Sequence, residues 1–297
     1  MEEIQNNTKD KSDILLSIII PHYNRPLMLR KLLLSIPDKP WIQVIVIDDK
    51  STKYLDAYAA VKTEFIAERG YLFLDNPDKS TGSARNYGLG FAVGEWLIFA
   101  DSDDYFTEDF EKIVTRHLND TEDLIYFEPV SENLDAPEKT GIRHIRYKKL
   151  VEDYILSPNL RNEYLIRYIY WISMSKMIRR KLVQDNNILF AHENFCEDFI
   201  FSAKCGGYAK KMKATKESFY CITEHGDSMT RVDTLPVQQI RYREYLKYVK
   251  WIKSHVGLKG IIVMGRLKKY IHVMLAQHKR RLIAFITGKE EDKGWVV

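Results

Sequence analysis

Short apolar runs alternate with longer segments of helical period over the first hundred residues of the chain. The apolar runs cover residues 15–20, 42–47, 71–74 and 96–100, and the first two are rich in β-branched side chains. The segments of helical period between them cover residues 26–35, 54–69 and 82–93. Runs that are apolar throughout are typical of strands buried on both faces of a parallel sheet. Strands that alternate with helices predict an α/β fold with an open, mostly parallel sheet.

The pattern becomes mixed after residue 107. Residues 123–127 predict a further strand, and the polar stretch 131–140, which contains a proline, indicates a loop. The aromatic run at 164–174 is β-prone, whereas 175–185 predicts a helix. From residue 233 to about 286 the period is helical, and basic side chains dominate the polar positions.

Composition indicates a folded protein of a reducing compartment. The chain has 297 residues, 45% of them hydrophobic, which is enough for a substantial core. Residues 1–13 are polar and mixed in charge, which predicts a disordered tail without the features of a signal peptide. No apolar run approaches the roughly 20 residues of a membrane-spanning helix. Three cysteines, without a Cys-x-x-Cys pair, favour the cytoplasm.

Charge is distributed unevenly along the chain. The formal net charge is +4, but residues 241–281 contain 12 Lys or Arg and one acidic residue, so that this region carries +11 and the remainder −7. Such a region suits an anionic membrane surface, and we expect no nucleic-acid partner because no recognised binding motif accompanies the charge. The alternative is a pair of helices packed on the main domain with its charges facing water.

Polar clusters follow three of the predicted strands, at residues 21–24, 48–52 and 101–104. In open parallel sheets ligands bind at the carboxyl ends of the strands, so we expect these clusters to meet. The last of them places three carboxylates in the stretch FADSDDYF, residues 99–106. Packed carboxylates repel unless a cation compensates them, which predicts a Mg²⁺ or Mn²⁺ site. The alternative is a solvated turn in which an aspartate caps a helix.

The motifs SIIIPHYN, VIDDKST, GSARNYG and FADSDDYF, in this order and spacing, resemble the family 2 glycosyltransferases of the GT-A fold. The similarity covers residues 17–110 and resumes weakly at 187–201. It implies a mostly parallel central sheet flanked by helices, here with a helical C-terminal extension. It also implies a nucleotide-sugar donor, usually linked to UDP, a divalent metal, and inversion at the anomeric carbon. The acceptor would be a glycan or a lipid-linked glycan, as in the synthesis of bacterial surface polysaccharides.

The resemblance assigns roles around the nucleotide. Pro21 and Tyr23 would lie along it. Either Asp48 or Asp49 would accept a hydrogen bond from the uracil N3–H or a ribose hydroxyl, and the sequence leaves this choice open. The usual glycine after this pair is replaced by Lys50.

The resemblance also assigns roles around the diphosphate. Gly82 would let the backbone approach the ligand, and Arg85 would lie near the base or the diphosphate. Asp103 would bind the metal directly, with Asp101 facing the ribose or a metal-bound water. Asp104 would support the site or cap a helix.

The acceptor hydroxyl needs a general base on the face of the sugar opposite the leaving group. Asp198 matches the position of the family's catalytic aspartate, with Glu197 as the second choice. The alternative for this pair is an ordinary helix start, where acidic residues favour the dipole.

The segment 224–231 suggests a loop over the diphosphate. His225 would bind metal or phosphate there and Arg231 would supply a counter-charge, although an uninvolved surface loop fits as well. Tyr170 and Trp171 would stack on an acceptor sugar or belong to the core.

No Gln-x-x-Arg-Trp motif of processive synthases occurs, which favours the transfer of a single sugar. The sequence thus predicts a catalytic domain at 14–232, with a nucleotide-binding half at 14–110 and an acceptor half at 111–232, before a basic helical region at 233–297. The competing hypotheses are a nucleotidyltransferase, which the missing phosphate loop disfavours, and a non-catalytic carbohydrate-binding module.

Overall fold

The computed structural model describes residues 13–226 and 228–265. Its strands are β1 (Leu16–His22), β2 (Ile42–Asp48), β3 (Leu72–Asp75), β4 (Trp96–Phe99), β5 (Tyr105–Phe106), β6 (Leu124–Phe127), β7 (Val130–Asn133), β8 (Lys176–Arg179), β9 (Met212–Thr215) and β10 (Tyr220–Glu224). Its helices are α1 (Pro26–Leu34), α2 (Leu55–Arg69), α3 (Thr81–Leu89), α4 (Phe110–His117), α5 (Ile145–Leu156), α6 (Leu160–Ile169), α7 (Arg180–Asp185), α8 (Glu197–Tyr208) and α9 (Leu235–Val263).

Within the described residues, seven strands form a central sheet in the order β3-β2-β1-β4-β8-β6-β9. The first four strands of this order are parallel to one another, as the apolar runs predicted, and every residue of β1 is buried. β8 runs antiparallel to both β4 and β6, while β9 is parallel to β6. The expectation of a mostly parallel sheet flanked by helices is therefore confirmed.

The carboxyl ends of the parallel strands lie side by side. His22 at the end of β1 pairs in register with Asp48 of β2, and Asp48 pairs with Asp75 of β3. A small sheet in the order β5-β10-β7 lies beyond the end of β4, with Tyr220 opposite Phe106. It brings residues from the last third of the described chain next to the carboxylates that follow β4.

The aromatic run at 164–174 does not form the β structure that its composition suggested. Its first half belongs to α6, where the side chain of Asn159 accepts a hydrogen bond from the backbone N–H of Asn162 and caps the helix. Tyr164 and Tyr168, four residues apart, lie on the same face, and Tyr168 packs against Trp251 of α9. Packing against another helix thus overrides the β-propensity of these side chains.

Two neighbouring expectations are also corrected. Residues 176–179, expected to be helical, form β8, because this segment completes the sheet between β4 and β6, and the helix α7 begins only afterwards. Residues 130–133 form β7 instead of an uninterrupted loop, because they pair with β10 in the small sheet.

The expected C-terminal helix is present as α9. It is interrupted at Gly257, whose φ of 67° is left-handed, and the chain after this break returns so that Gly260 lies against the ring of Tyr164. None of the described helices is both long enough and apolar enough to cross a lipid bilayer. Residues 1–12 of the predicted tail and the basic residues at 266–281 lie outside the described residues.

Gly206 on α8 determines how closely α8 approaches α6. A β-carbon at this position would lie 2.1 Å from the carbonyl oxygen of Arg167. Because the clash is with backbone, we expect Gly206→Ala to lower the free energy of unfolding by about 1–3 kcal/mol in urea titrations. Gly90→Ala is the matched control, since its β-carbon would lie 3.3 Å from the nearest atom, and it should change stability by less than about 1 kcal/mol. Equal losses in the two variants would contradict this account of the helix contact.

Candidate active site

The three aspartates after β4 form a compact acidic cluster. Asp101 and Asp103 are half-buried and Asp104 is buried, and one oxygen of each lies within 4.8 Å of the others. β4 is fully buried and ends at Phe99, so the chain leaves the core at the point where these side chains begin. The structure thus brings together the residues that the sequence proposed as a metal site.

Asp104 anchors this cluster to the small sheet. Its Oδ2 accepts a hydrogen bond from the hydroxyl of Tyr220 at 2.7 Å, and its Oδ1 accepts one from the backbone N–H of Thr223 at 2.7 Å. Burial raises the pKa of its carboxyl well above the usual value, and the charges of Asp103 and Asp101 add to this effect. Asp104 therefore fixes the loop and leaves the other two aspartates to face a ligand.

Arg85 connects the acidic cluster to the start of α8. Its guanidinium is almost fully buried, with Nη2 at 2.5 Å from Asp101 Oδ1 and Nη1 at 2.5 Å from Glu197 Oε1. Sequence reasoning expected this side chain near the base or the diphosphate. In the structure its hydrogen bonds go to two carboxylates of the protein, so it holds α3, the loop after β4 and α8 together.

Gly82 makes this arrangement possible. A β-carbon at Gly82 would lie 1.8 Å from the carbonyl oxygen of Ala191, and its backbone N–H donates to the carbonyl of Glu193. The residue was expected to let the backbone approach a ligand. The close approach seen here is to the chain segment that leads into α8.

Glu197 and Asp198 begin α8 but have different surroundings. Glu197 is buried and bound to Arg85. Asp198 is half-buried, and its pKa is raised to about 8 by burial and by the charge of Glu197. A carboxylate with a pKa in this range suits a general base. The structure therefore favours Asp198 over Glu197 for that role.

The loops after β2 and β3 arrange the nucleotide-side residues. Both oxygens of Asp48 accept hydrogen bonds from Ser51, one from its backbone N–H and one from its hydroxyl. Among the described residues, the hydrogen bonds to Asp49 reach Oδ1, which accepts from the amide of Asn76 at 2.7 Å and from the N–H of Ser80 at 3.0 Å. Sequence reasoning missed Asn76 and Ser80, which lie in a polar loop whose composition indicates only a turn. Burial raises the pKa of the Asp49 carboxyl.

Two other nucleotide-side residues lie on β1 and just after it. Pro21 is buried within the strand, whereas 41% of the Tyr23 surface is exposed, at the same end of the sheet as Asp49. Tyr23 is thus available to lie against a flat ligand.

The segment that was expected to close over the site supplies one of its two candidate residues. His225 Nε2 lies 2.9 Å from Asp103 Oδ2, and Arg25 Nη1 lies 3.6 Å from the same oxygen. Although burial alone would raise it, the pKa of Asp103 is lowered by the hydrogen bond with His225 and by the charge of Arg25. Arg231 instead lies 3.8 Å from Asp135, with half of its side chain exposed.

Sequence reasoning missed Arg25, whose partners are distant in sequence. The aromatic pair proposed for stacking on an acceptor is buried, with Tyr170 inaccessible and 9% of Trp171 exposed. The ring of Trp171 packs 4.3 Å from that of Phe199, next to Asp198. Burial supports the core interpretation of both side chains.

The geometry can be compared with known proteins. A family model described as "Glycosyl transferase family 2" matches residues 17–196, which is more than half of the chain. The chain belongs to this family. The match contains the acidic cluster and Arg85 but ends two residues before Asp198, so the role of Asp198 stays a prediction.

Curated relatives of the chain include named glycosyltransferases. The poly(ribitol-phosphate) beta-N-acetylglucosaminyltransferase TarS of Staphylococcus aureus is 25% identical over 231 residues, which cover 74% of this family 2 chain and 38% of TarS. The uncharacterized glycosyltransferase EpsJ of Bacillus subtilis is 22% identical over 274 residues, covering 89% of this chain and 76% of EpsJ. The chain thus spans well under half the length of TarS.

Solved structures show the fold. TarS 1–349 in complex with UDP-GlcNAc superposes with a TM-score of 0.67 at 20% identity, covering 86% of this chain and 72% of that one. The mannosyltransferase PcManGT of Pyrobaculum calidifontis, in complex with GDP-Man and Mn²⁺, superposes with a TM-score of 0.51 at 14% identity, covering 91% and 80%. The family 2 chain therefore has the GT-A fold, as its motifs implied.

Tyr220 is expected to contribute strongly to the integrity of this site. Its hydroxyl donates to Asp104 and accepts from the backbone N–H of Asp101, so Tyr220→Phe leaves two buried polar groups unpaired. We expect a loss of about 1–3 kcal/mol in the free energy of unfolding, measured by urea titration.

Tyr126→Phe provides the matched control. Tyr126 is equally inaccessible, but its hydroxyl has no hydrogen-bond partner among the described residues. Its removal should leave stability unchanged within about 0.5 kcal/mol or raise it slightly. Similar losses for both tyrosines would show that removal of a buried hydroxyl, not the loss of hydrogen bonds to the acidic loop, explains the effect.

Proposed function

We propose that this chain is a metal-dependent, inverting glycosyltransferase that moves one sugar from a nucleotide-sugar, of the UDP type, to a hydroxyl of a glycan or lipid-linked glycan. One observation carries the proposal. Arg85 joins Asp101 to Glu197, so that the candidate metal ligands and the candidate base Asp198 belong to one site at the carboxyl edge of the sheet. Membership of family 2 supports the same conclusion.

The acidic cluster fits a divalent cation. Asp101 uses Oδ1 for Arg85 and Asp103 uses Oδ2 for His225, and no hydrogen bond within the described residues reaches the second oxygen of either. Carboxylate oxygens are the ligands that Mg²⁺ and Mn²⁺ prefer, and the imidazole of His225 could complete the set for Mn²⁺. The Mn²⁺ in the PcManGT complex supports a metal in this fold.

The chemistry then follows from the residues. A bound cation supplies Lewis acidity that neutralises charge on the departing nucleoside diphosphate. Asp198 takes the proton of the acceptor hydroxyl, whose oxygen forms a bond to the anomeric carbon while the bond from this carbon to the phosphate oxygen breaks. Attack on the face opposite the leaving group inverts the configuration. Glu197, neutralised by Arg85, is not needed as a base.

The hydrogen bonds of the loops support an assignment on the nucleotide side. Both oxygens of Asp48 are used by Ser51, whereas Asp49 keeps Oδ2 beside its two hydrogen bonds at Oδ1. We therefore assign the contact with the uracil N3–H or the ribose to Asp49. Tyr23 and Pro21 are assigned to the side of the nucleotide.

The acceptor is assigned to the class of surface polymers. TarS is a poly(ribitol-phosphate) beta-N-acetylglucosaminyltransferase, which supports a polymer acceptor of this kind. The region 14–232 would then hold the catalytic domain, and the basic region 233–297 would contact an anionic membrane surface from the cytoplasmic side. Lys250, Lys253 and Lys259, all exposed on α9, support this contact, and the free thiols of the three cysteines fit a reducing compartment.

Two substitutions separate the metal role from the base role. In Asp103→Asn we expect calorimetry to show loss of the Mn²⁺-dependent binding of UDP, because a metal ligand is removed. In Asp198→Asn, UDP binding should persist while UDP release from UDP-sugars falls about 1,000-fold, because the base is lost. Asp185→Asn, on the exposed surface of α7, is the control that should behave as wild type.

Two results would contradict the proposed function. One is folded wild-type protein that binds neither UDP nor GDP, whether Mn²⁺ or EDTA is present. This result would favour the interpretation of FADSDDYF as a structural turn. The other is full activity in purified Asp198→Asn, which would remove the base.

The pH dependence should report on Asp198. A base is active only when ionised, and the pKa of this carboxyl is raised to about 8 in the free protein. We expect kcat/KM to reach a plateau at high pH and to fall about tenfold for each pH unit below the pKa of this carboxyl. Since a bound cation lowers the pKa of a nearby carboxylate, the pKa read from the profile should be no higher than about 8. Initial rates between about pH 5.5 and about pH 9 measure it, and a profile that climbs toward acid would contradict the assignment.

A further inference from the structure

Arg25 reaches the metal side of the acidic cluster from the loop after β1. Its Nη1 lies 2.8 Å from His225 Nε2 and 3.2 Å from His225 Nδ1, and 3.6 Å from Asp103 Oδ2. A quarter of its side chain is exposed, so the guanidinium lies at the boundary between the protein and the open site. A permanent cation thus shares the carboxylate assigned to the divalent metal.

The backbone before Arg25 is held by hydrogen bonds, so a displacement of the guanidinium would come from rotation of the side chain. Asn24 has a left-handed φ of 55°, and its Oδ1 accepts hydrogen bonds from the N–H groups of Thr52 and Lys53. The N–H of Asn24 donates to the hydroxyl of Ser51. Because Pro26 opens α1 directly afterwards, the position of the Arg25 backbone is set from both sides.

The contacts of His225 restrict what can happen when a cation arrives. When Nε2–H of a neutral imidazole donates to Asp103, only Nδ1, 3.2 Å from Arg25 Nη1, can accept from the guanidinium, and the 2.8 Å approach of Nη1 to Nε2 brings two donors together. If Nε2 instead binds a metal, the proton moves to Nδ1, which then presents an N–H to the N–H groups of Arg25. The guanidinium would also be repelled by a divalent charge at Asp103.

We propose that Arg25 compensates Asp103 in the unloaded site, is displaced from it by the divalent cation, and then pairs with the diphosphate of the donor. This inference rests on the proposed function and adds a positioning cation to it. The diphosphate is the anion that enters the site together with the metal, and a guanidinium pairs well with phosphate oxygens. Arg25 therefore couples the two ligands: it opposes the metal alone and favours the donor once the metal is bound.

Calorimetry on the full chain tests the two parts of this inference separately. Titration with Mn²⁺ alone tests the competition at Asp103, and titration with UDP at saturating Mn²⁺ tests the contact with the diphosphate. Arg25→Gln removes the competing charge, so we expect Mn²⁺ alone to bind about 5-fold more tightly and UDP at least about 5-fold more weakly. Arg25→Lys keeps the charge and should lie close to wild type for Mn²⁺. Arg30→Gln on the exposed face of α1, where Arg30 pairs with Glu64, is the matched control and should change neither constant.

Unchanged or weakened Mn²⁺ binding in Arg25→Gln would overturn the competition, since the arginine would then only support His225. Unchanged UDP binding would overturn the contact with the diphosphate. Wild-type protein that binds Mn²⁺ but no UDP would instead reject the proposed function, while the Mn²⁺ titrations of the variants would still decide whether Arg25 competes. Thermal unfolding of each variant confirms that the compared proteins are folded.

Discussion

The candidate site depends on the ion pairs of one buried guanidinium. Arg85 lies between Asp101 and Glu197, 2.5 Å from each, and stays protonated at any physiological pH. Carboxylates gathered at the end of a buried strand would otherwise repel one another and seek water. Since the cation comes from α3 and one carboxylate from α8, the same contacts that balance the charge also join the two halves of the described fold.

Much of the fold of residues 14–110 was predictable because its signals are local. Apolar runs that end in polar clusters identify parallel strands, and parallel strands place those clusters at a common edge. The pattern therefore predicted where the acidic cluster lies, whereas Arg85 and Asp198 were assigned through the resemblance to family 2, and their roles stay predictions. The β-prone run at 164–174 was misleading, because tertiary packing of Tyr164 and Tyr168 against α9 decided its conformation.

The features of the site that the sequence could not predict are contacts between residues that are far apart along the chain. Arg25 and His225 are 200 positions apart, and nothing in the residue next to a helix-opening proline indicates such a partner. The resemblance preferred Asp198 over Glu197, but the physical reason, that Arg85 occupies Glu197, is visible only in the structure. Asp48 and Asp49 were equivalent as letters and became distinct only through the hydrogen bonds of Ser51, Asn76 and Ser80.

The anchoring of Asp104 has a consequence for interpreting divergent relatives. Because its oxygens accept hydrogen bonds from Tyr220 and Thr223, this carboxylate stabilises the fold whether or not the site is catalytic. A descendant that had lost transfer activity would keep an aspartate here while Asp103, which faces the ligand side, was free to drift. An aspartate at the position of Asp104 thus indicates that the fold is kept, whereas loss of the aspartate at the position of Asp103 would indicate a relative without transfer activity.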